Sequence, residues 1–205
     1  MVQEIDFWFT MGSTYTYLSV GRLREAARAA GVLVNWRPIR NVGSLTGATQ
    51  PPFLDGTAKM RYMWRDIERR ALAYGLPINP PIPYLGGDRF KANRIALLGM
   101  SEGWGPAYVE AAYRQWFENR IPNGDPENIR VALLQAGLHQ ADVERVISVA
   151  DGDELHKGLD QSTETARETG VFGSPSFVVG SEIFWGDDHL EDAISWAVAG
   201  QLRPR

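Results

Sequence analysis

Four short segments hold the residue types that could do chemistry. Gly12-Ser13-Thr14-Tyr15-Thr16 puts a hydroxyl where a strand gives way to a helix. The first turn of a helix leaves N–H groups unpaired and carries partial positive charge, so an anion beside Ser13 would be stabilised and could accept its hydroxyl proton. The competing reading is that Ser13 only caps the helix. Phe172-Gly173-Ser174-Pro175-Ser176-Phe177 sets an X-Pro bond just ahead of two β-prone runs. There the backbone of Ser174 could pair with an extended peptide, or the segment could be an ordinary trans turn. Lys59 to Asp66 contains Lys59, Arg61 and Arg65. A cation at a helix start is disfavoured by the dipole unless an anion compensates, which singles out Lys59 against the alternative of a solvated charged face. Trp185-Gly186-Asp187-Asp188-His189 offers two carboxylates before a helix, one suited to a cap and one to an ammonium.

Composition narrows what these groups can do. The 205 residues contain 0 cysteines, so disulfides, thiolate metal sites and a protein-borne thiol nucleophile are excluded. Any sulfur chemistry needs a borrowed thiol. His139, His156 and His189 lie far apart without paired ligand spacing, so no metal is expected. Gly12-Ser13-Thr14 lacks the G-x-S-x-G elbow of a serine hydrolase. A net charge of −4 provides no broad basic field for nucleic acid. Met1 to Thr10 has no basic region ahead of an apolar stretch, and no apolar run reaches membrane-spanning length, so a cytoplasmic protein away from the membrane is expected.

The elements that must position these groups are legible from periodicity. Ile5, Phe7, Phe9 and Met11 alternate with polar or outward residues as in a strand; Val20, Leu23, Ala27 and Ala30 then recur at helical spacing up to Gly31. Val32 to Arg37 alternates again until Pro38. Ile39 to Pro52 reads as a long loop. Helices are expected around Met60 to Ala71, Phe90 to Ser101, Pro106 to Glu118, Pro126 to Ala136 with Asp125 as cap, Ala141 to Ala150 and Glu154 to Glu168. Ser176 to Val179 and Glu182 to Trp185 form a hairpin through Gly180-Ser181, and Asp187 or Asp188 caps a last helix. The order β-α-β, helical block, α-β-β-α gives a mixed sheet interrupted by helices. The fold class is therefore α/β, a thioredoxin-like domain with an inserted all-α domain. Residues 1–40 and 154–205 make the discontinuous thioredoxin-like part, and 41–153 the helical insertion with its entry loop. In such a core Ser13 and Thr16 occupy the places of the two cysteines of a C-x-x-C motif, and the Ser174-Pro175 bond is cis.

Phe7-Trp8-Phe9, Gly12 to Leu18, Lys59 to Glu68, Tyr74-Gly75-Leu76-Pro77, Gly170 to Pro175 and Phe184 to Asp188 together resemble the 2-hydroxychromene-2-carboxylate isomerases, relatives of the kappa-class glutathione transferases. The resemblance spans nearly the whole chain in order. It implies glutathione as cofactor and a homodimer. It implies that Ser13 hydrogen-bonds the glutathione sulfur, that Lys59 contacts the tripeptide, that Ser174 and Pro175 bind the cysteinyl backbone, and that Asp188 receives the γ-glutamyl end. Thr49, Asp187 and His189 fall at further cofactor positions. The chain departs from the family pattern at Thr14 (usually proline), Thr49 (usually asparagine) and His189 (usually arginine). Trp8, Tyr15, Trp64, Tyr84 and Trp185 are candidates for the wall of an aromatic substrate pocket, with plain core packing as the alternative.

The implied activity is glutathione-dependent isomerisation of 2-hydroxychromene-2-carboxylate or a related aromatic pyruvate-type compound, by reversible thiolate addition and bond rotation. Two readings compete: a kappa-like glutathione transferase or peroxidase, and a thioredoxin-fold binding module without catalysis.

Overall fold

The computed structural model describes residues 3–50, 53–84 and 86–202; expectations touching Met1, Val2, Pro51, Pro52, Leu85 and residues 203–205 lie outside them. The chain runs β1 (Glu4–Phe9), α1 (Thr16–Ala30), β2 (Leu33–Pro38), α2 (Val42–Thr46), α3 (Ala58–Tyr74), α4 (Arg89–Glu102), α5 (Gly105–Asn119), α6 (Pro126–Gln135), α7 (Gln140–Val149), α8 (Asp153–Glu168), β3 (Ser176–Val179), β4 (Glu182–Trp185), a 3₁₀ turn (Asp187–His189) and α9 (Leu190–Ala199). The strands form one sheet in the order β2-β1-β3-β4, parallel between β1 and β2 and antiparallel elsewhere. This is the expected α/β architecture. The short helix α2 was not expected; Asn41 creates it by accepting from the Ser44 N–H at 2.7 Å. No helix among the described residues is long and apolar enough to cross a membrane.

Strand alternation sorts the side chains of β1 onto two faces. Ile5, Phe7 and Phe9 are fully buried, in one cluster with Leu18 and Leu23 of α1 and Leu190, Ala193 and Ile194 of α9. Phe7 stacks on Phe177 of β3 at 5.2 Å, and Trp36 of β2 meets Phe7 edge-on at 5.0 Å. Burying each such ring contributes about 1.5–3 kcal/mol. Trp8 points the other way, into a smaller cluster with Ile39, Leu45, Ala166 of α8, Val171 and Val178. In the helical block, α5 supplies the bulk: Tyr108, Tyr113, Trp116 and Phe117 are buried.

Candidate active site

Register gathers three of the four chemical segments at one end of the sheet; the fourth, Lys59 to Asp66, lies on α3. Trp8 lies opposite Ser176 in an antiparallel pair, so the chain leaves β1 and enters β3 at the same end. Ser176 also lies opposite Trp185, which places the end of β4 and the Asp187 turn there, and Phe9 opposite Pro38 brings the end of β2. The turn after β1 therefore packs on the segment before β3.

At their junction the Ser13 hydroxyl donates to the Ser174 carbonyl at 2.9 Å. The Ser174 hydroxyl accepts from the Thr10 N–H and lies 3.0 Å from the Thr16 hydroxyl. The Ser174–Pro175 bond is cis. Ser13 does not cap α1: the N-cap is Tyr15, with no side-chain hydrogen bond, so the capping alternative for Ser13 is set aside. The first turn of α1 closes tightly, Tyr17 and Leu18 donating back to the carbonyls of Thr14 and Tyr15. The turn is braced from the helical block by residues that sequence reasoning did not single out. Asn93 of α4 accepts from Met11 N–H at 2.8 Å, and Asn123 donates to Met11 C=O at 2.9 Å. The Tyr113 hydroxyl reaches the carbonyls of Thr10 and Ser13, each at 3.0 Å. Burial pushes the Tyr113 phenol well above its ordinary range, so it stays a donor. Thr14 is buried and donates to the Met63 thioether at 3.2 Å, tying the turn to α3.

A charged network extends from the turn. The Tyr15 hydroxyl donates to Asp66 of α3 at 3.1 Å. Burial raises the Asp66 carboxyl, but hydrogen bonds from Arg69, Arg70 and Tyr15 outweigh it and hold the group below its usual value. Asp187 is buried, with its backbone carbonyl accepting from Arg22 at 2.9 Å and its carboxylate accepting from Tyr74 at 3.3 Å. Burial, opposed by Arg70 and reinforced by neighbouring Asp188, pushes Asp187 up to about 6. Neither aspartate caps α9; its N-cap is His189, which makes no side-chain cap bond and pairs with Asp192 at 3.1 Å on its own helix. The expected cap fails because Asp187 turns inward to the arginines and Asp188 faces solvent.

The remaining candidates divide. Lys59 is exposed in the first turn of α3, its ammonium 5.2 Å over the ring of Phe53, which in turn lies 6.4 Å from Tyr15. Trp64 meets Tyr84 edge-on at 6.0 Å and Phe117 at 6.4 Å; Phe117 is 6.3 Å from Tyr113. This chain of rings ends beneath the Ser13 turn. Trp185 is half-exposed against Phe172 and over Gly173, where a Cβ would overlap the indole, so it flanks Ser174. Trp8 is not among them, being 3% exposed on the opposite face of the sheet. Thr49 is exposed beyond α2. A cleft of about 480 Å³ follows α1 away from Ser13, lined by Tyr17, Arg24, Arg28, Leu76, Glu110 and Arg114 among others.

Comparison with known proteins agrees with the fold. Residues 4–194 match the DSBA-like thioredoxin domain family. The chain is 31% identical over 194 residues to the 2-hydroxychromene-2-carboxylate isomerase of Sphingobium xenophagum, covering 93% of this chain and 96% of that protein. It is 28% identical over 190 residues to the enzyme of the same name from Pseudomonas putida, covering 91% and 90%. A solved 2-hydroxychromene-2-carboxylate isomerase superposes with a TM-score of 0.77 at 26% identity, covering 91% of this chain and 90% of that one. The chain belongs to the DSBA-like thioredoxin domain family and, within it, to the 2-hydroxychromene-2-carboxylate isomerase family.

Proposed function

We propose that the protein is a glutathione-dependent isomerase of 2-hydroxychromene-2-carboxylate or a related aromatic pyruvate-type compound. The observation that carries this reading is the Ser13 hydroxyl set on the Ser174 carbonyl at 2.9 Å, beside the start of α1, in a chain with 0 cysteines. The site offers the surroundings of a reactive sulfur without the sulfur itself. Bound glutathione supplies a thiolate that adds reversibly to the conjugated substrate and leaves a single bond free to rotate. The donor set suits that tripeptide: Ser174 backbone for an extended cysteinyl unit, Lys59 for a carboxylate, and the half-exposed Asp188 for the γ-glutamyl ammonium. With a peptide N–H on the Ser174 carbonyl, the Ser13 hydroxyl would be free to donate to the sulfur anion. The positive end of α1 favours the same charge. Tyr15, Trp64 and Tyr84 would supply the apolar wall for an aromatic ring, and Tyr113 holds the Ser13 backbone through its hydroxyl.

The test follows the ultraviolet spectrum of hydroxychromene carboxylate with enzyme, with and without glutathione well below the substrate concentration. Conversion that requires glutathione and leaves its total unchanged is the expected result. Equal conversion without glutathione overturns the reading, and glutathione lost mole for mole with substrate makes the protein a transferase.

A further inference from the structure

On α3 the residues Asp66, Arg70 and Tyr74 recur every fourth position and so form one ladder on one face of the helix. Arg70 is its centre. Its Nε donates to Asp66 at 3.0 Å, its Nη1 lies 3.7 Å from Asp187 and its Nη2 3.9 Å from Asp188. One guanidinium thus serves carboxylates of α3 and of the 3₁₀ turn, and Asp66 is in turn bonded to Tyr15 beside α1. Below it, Tyr74 donates to Asp187, and Arg22 of α1 packs 3.8 Å over the Tyr74 ring. Asp187 is buried and needs the cation, whereas the Asp188 side chain is 54% exposed and keeps a free edge toward solvent. Gly186, at φ 105°, lets the chain pass against Asp188 Oδ1; a Cβ there would come within 2.5 Å of that oxygen. A planar, forked cation can address several carboxylates at once in fixed directions, which a lysine point charge cannot.

We propose that Arg70 is a positioning residue for the amino-acid end of the glutathione site: it aims Asp188 at the γ-glutamyl ammonium and ties that end, through Asp66 and Tyr15, to the turn carrying Ser13. The inference rests on the glutathione reading above. It adds a residue that touches no ligand yet sets how the α-amino group is read.

The test compares glutathione with its deaminated analogue, in which the γ-glutamyl amino group is replaced by hydrogen, using calorimetric titration. The wild-type protein is expected to prefer glutathione by about ten-fold, the scale of one charge-assisted hydrogen bond. Arg70→Met and Arg70→Lys are expected to bring that preference close to unity while changing the affinity for the deaminated analogue by less than about two-fold. A preference retained in both variants, or equal weakening of both ligands, overturns the inference and leaves Arg70 a structural ion pair. Should Arg70→Met not fold, Arg70→Lys carries the comparison, since it keeps the charge and loses only the fork. A wild-type protein that binds both ligands equally also overturns it. Binding of neither ligand by the wild type instead overturns the glutathione reading itself.

Discussion

The side-chain amide of Asn93 on α4 holds the main chain of Met11 in the turn after β1, accepting from its N–H at 2.8 Å while donating to the Thr10 hydroxyl and the Arg40 carbonyl. Asn93 is fully buried, so these partners have no water to fall back on. Asn93→Leu, close in volume, leaves the buried Met11 N–H without its acceptor and takes one of two donors from the Arg40 carbonyl, which keeps the Thr10 hydroxyl. It is expected to cost about 2–4 kcal/mol of unfolding free energy, measured by urea titration. Because the turn carries Ser13, turnover at saturating glutathione should also fall by about ten- to a hundred-fold. A variant as active and as stable as the wild type would mean the turn holds its shape without the helical block.

That dependence marks the limit of what the sequence discloses. Ser13, Ser174 and the two aspartates are visible because they sit at element boundaries, where spacing and turn residues announce themselves. That the two ends share one mixed sheet followed from β-α-β and β-β-α ends joined by the rules of connection, whereas the strand order did not. Asn93, Tyr113 and Asn123 lie inside or between helices of the insertion and act on a turn more than 80 residues earlier in the chain. No local period encodes such a contact. A buried asparagine within a helical stretch was the one available signal, since amides are seldom buried without a partner. Trp8 shows the opposite failure: closeness to a motif in sequence placed it by the site, while strand alternation turned it to the far face.

Ser13→Ala tests the proposed role of the hydroxyl. Losing a donor to the sulfur anion disfavours the thiolate, so the pKa of bound glutathione should rise by about one to two units, equivalent to about 1–3 kcal/mol. Thiolate absorbance against pH reads the shift directly. Turnover should slow while glutathione affinity stays nearly intact, because the backbone of Ser174 is untouched. A wild-type rate with an unshifted thiol would leave the start of α1 as sole activator.

Trp8→Phe separates core from pocket. The Trp8 indole N–H is buried and finds no acceptor among the described residues, and its ring packs on Ile39, Ala166 and Val178. Phenylalanine removes the unpaired donor and some packing volume, two effects of opposite sign, so stability should move by no more than about 1 kcal/mol. The KM for the aromatic substrate should not change. A raised KM with unaltered stability would return Trp8 to the substrate wall.

Asp187 predicts an unusual pH dependence. Its carboxyl titrates near 3.8 in the unfolded chain and at about 6 in the folded protein, because burial outweighs the pull of Arg70 and Arg22. Between those values the folded state holds a proton that the unfolded state has released. Stability contributed by this group is therefore complete below 3.8 and declines as pH rises through about 6. From pH 5 to pH 7 the decline amounts to about 1 kcal/mol by linkage. Asp187→Asn cannot titrate, so it should lack this decline, whatever constant cost it carries from altered bonding to Tyr74 and Arg22. Urea unfolding of both proteins at pH 5 and pH 7 gives the comparison, with the stability of the wild type relative to the variant falling by about 1 kcal/mol between the two. A difference that stays flat would show that the arginines fully offset burial, and that Asp187 is ionised throughout as an ordinary member of the ion-pair network.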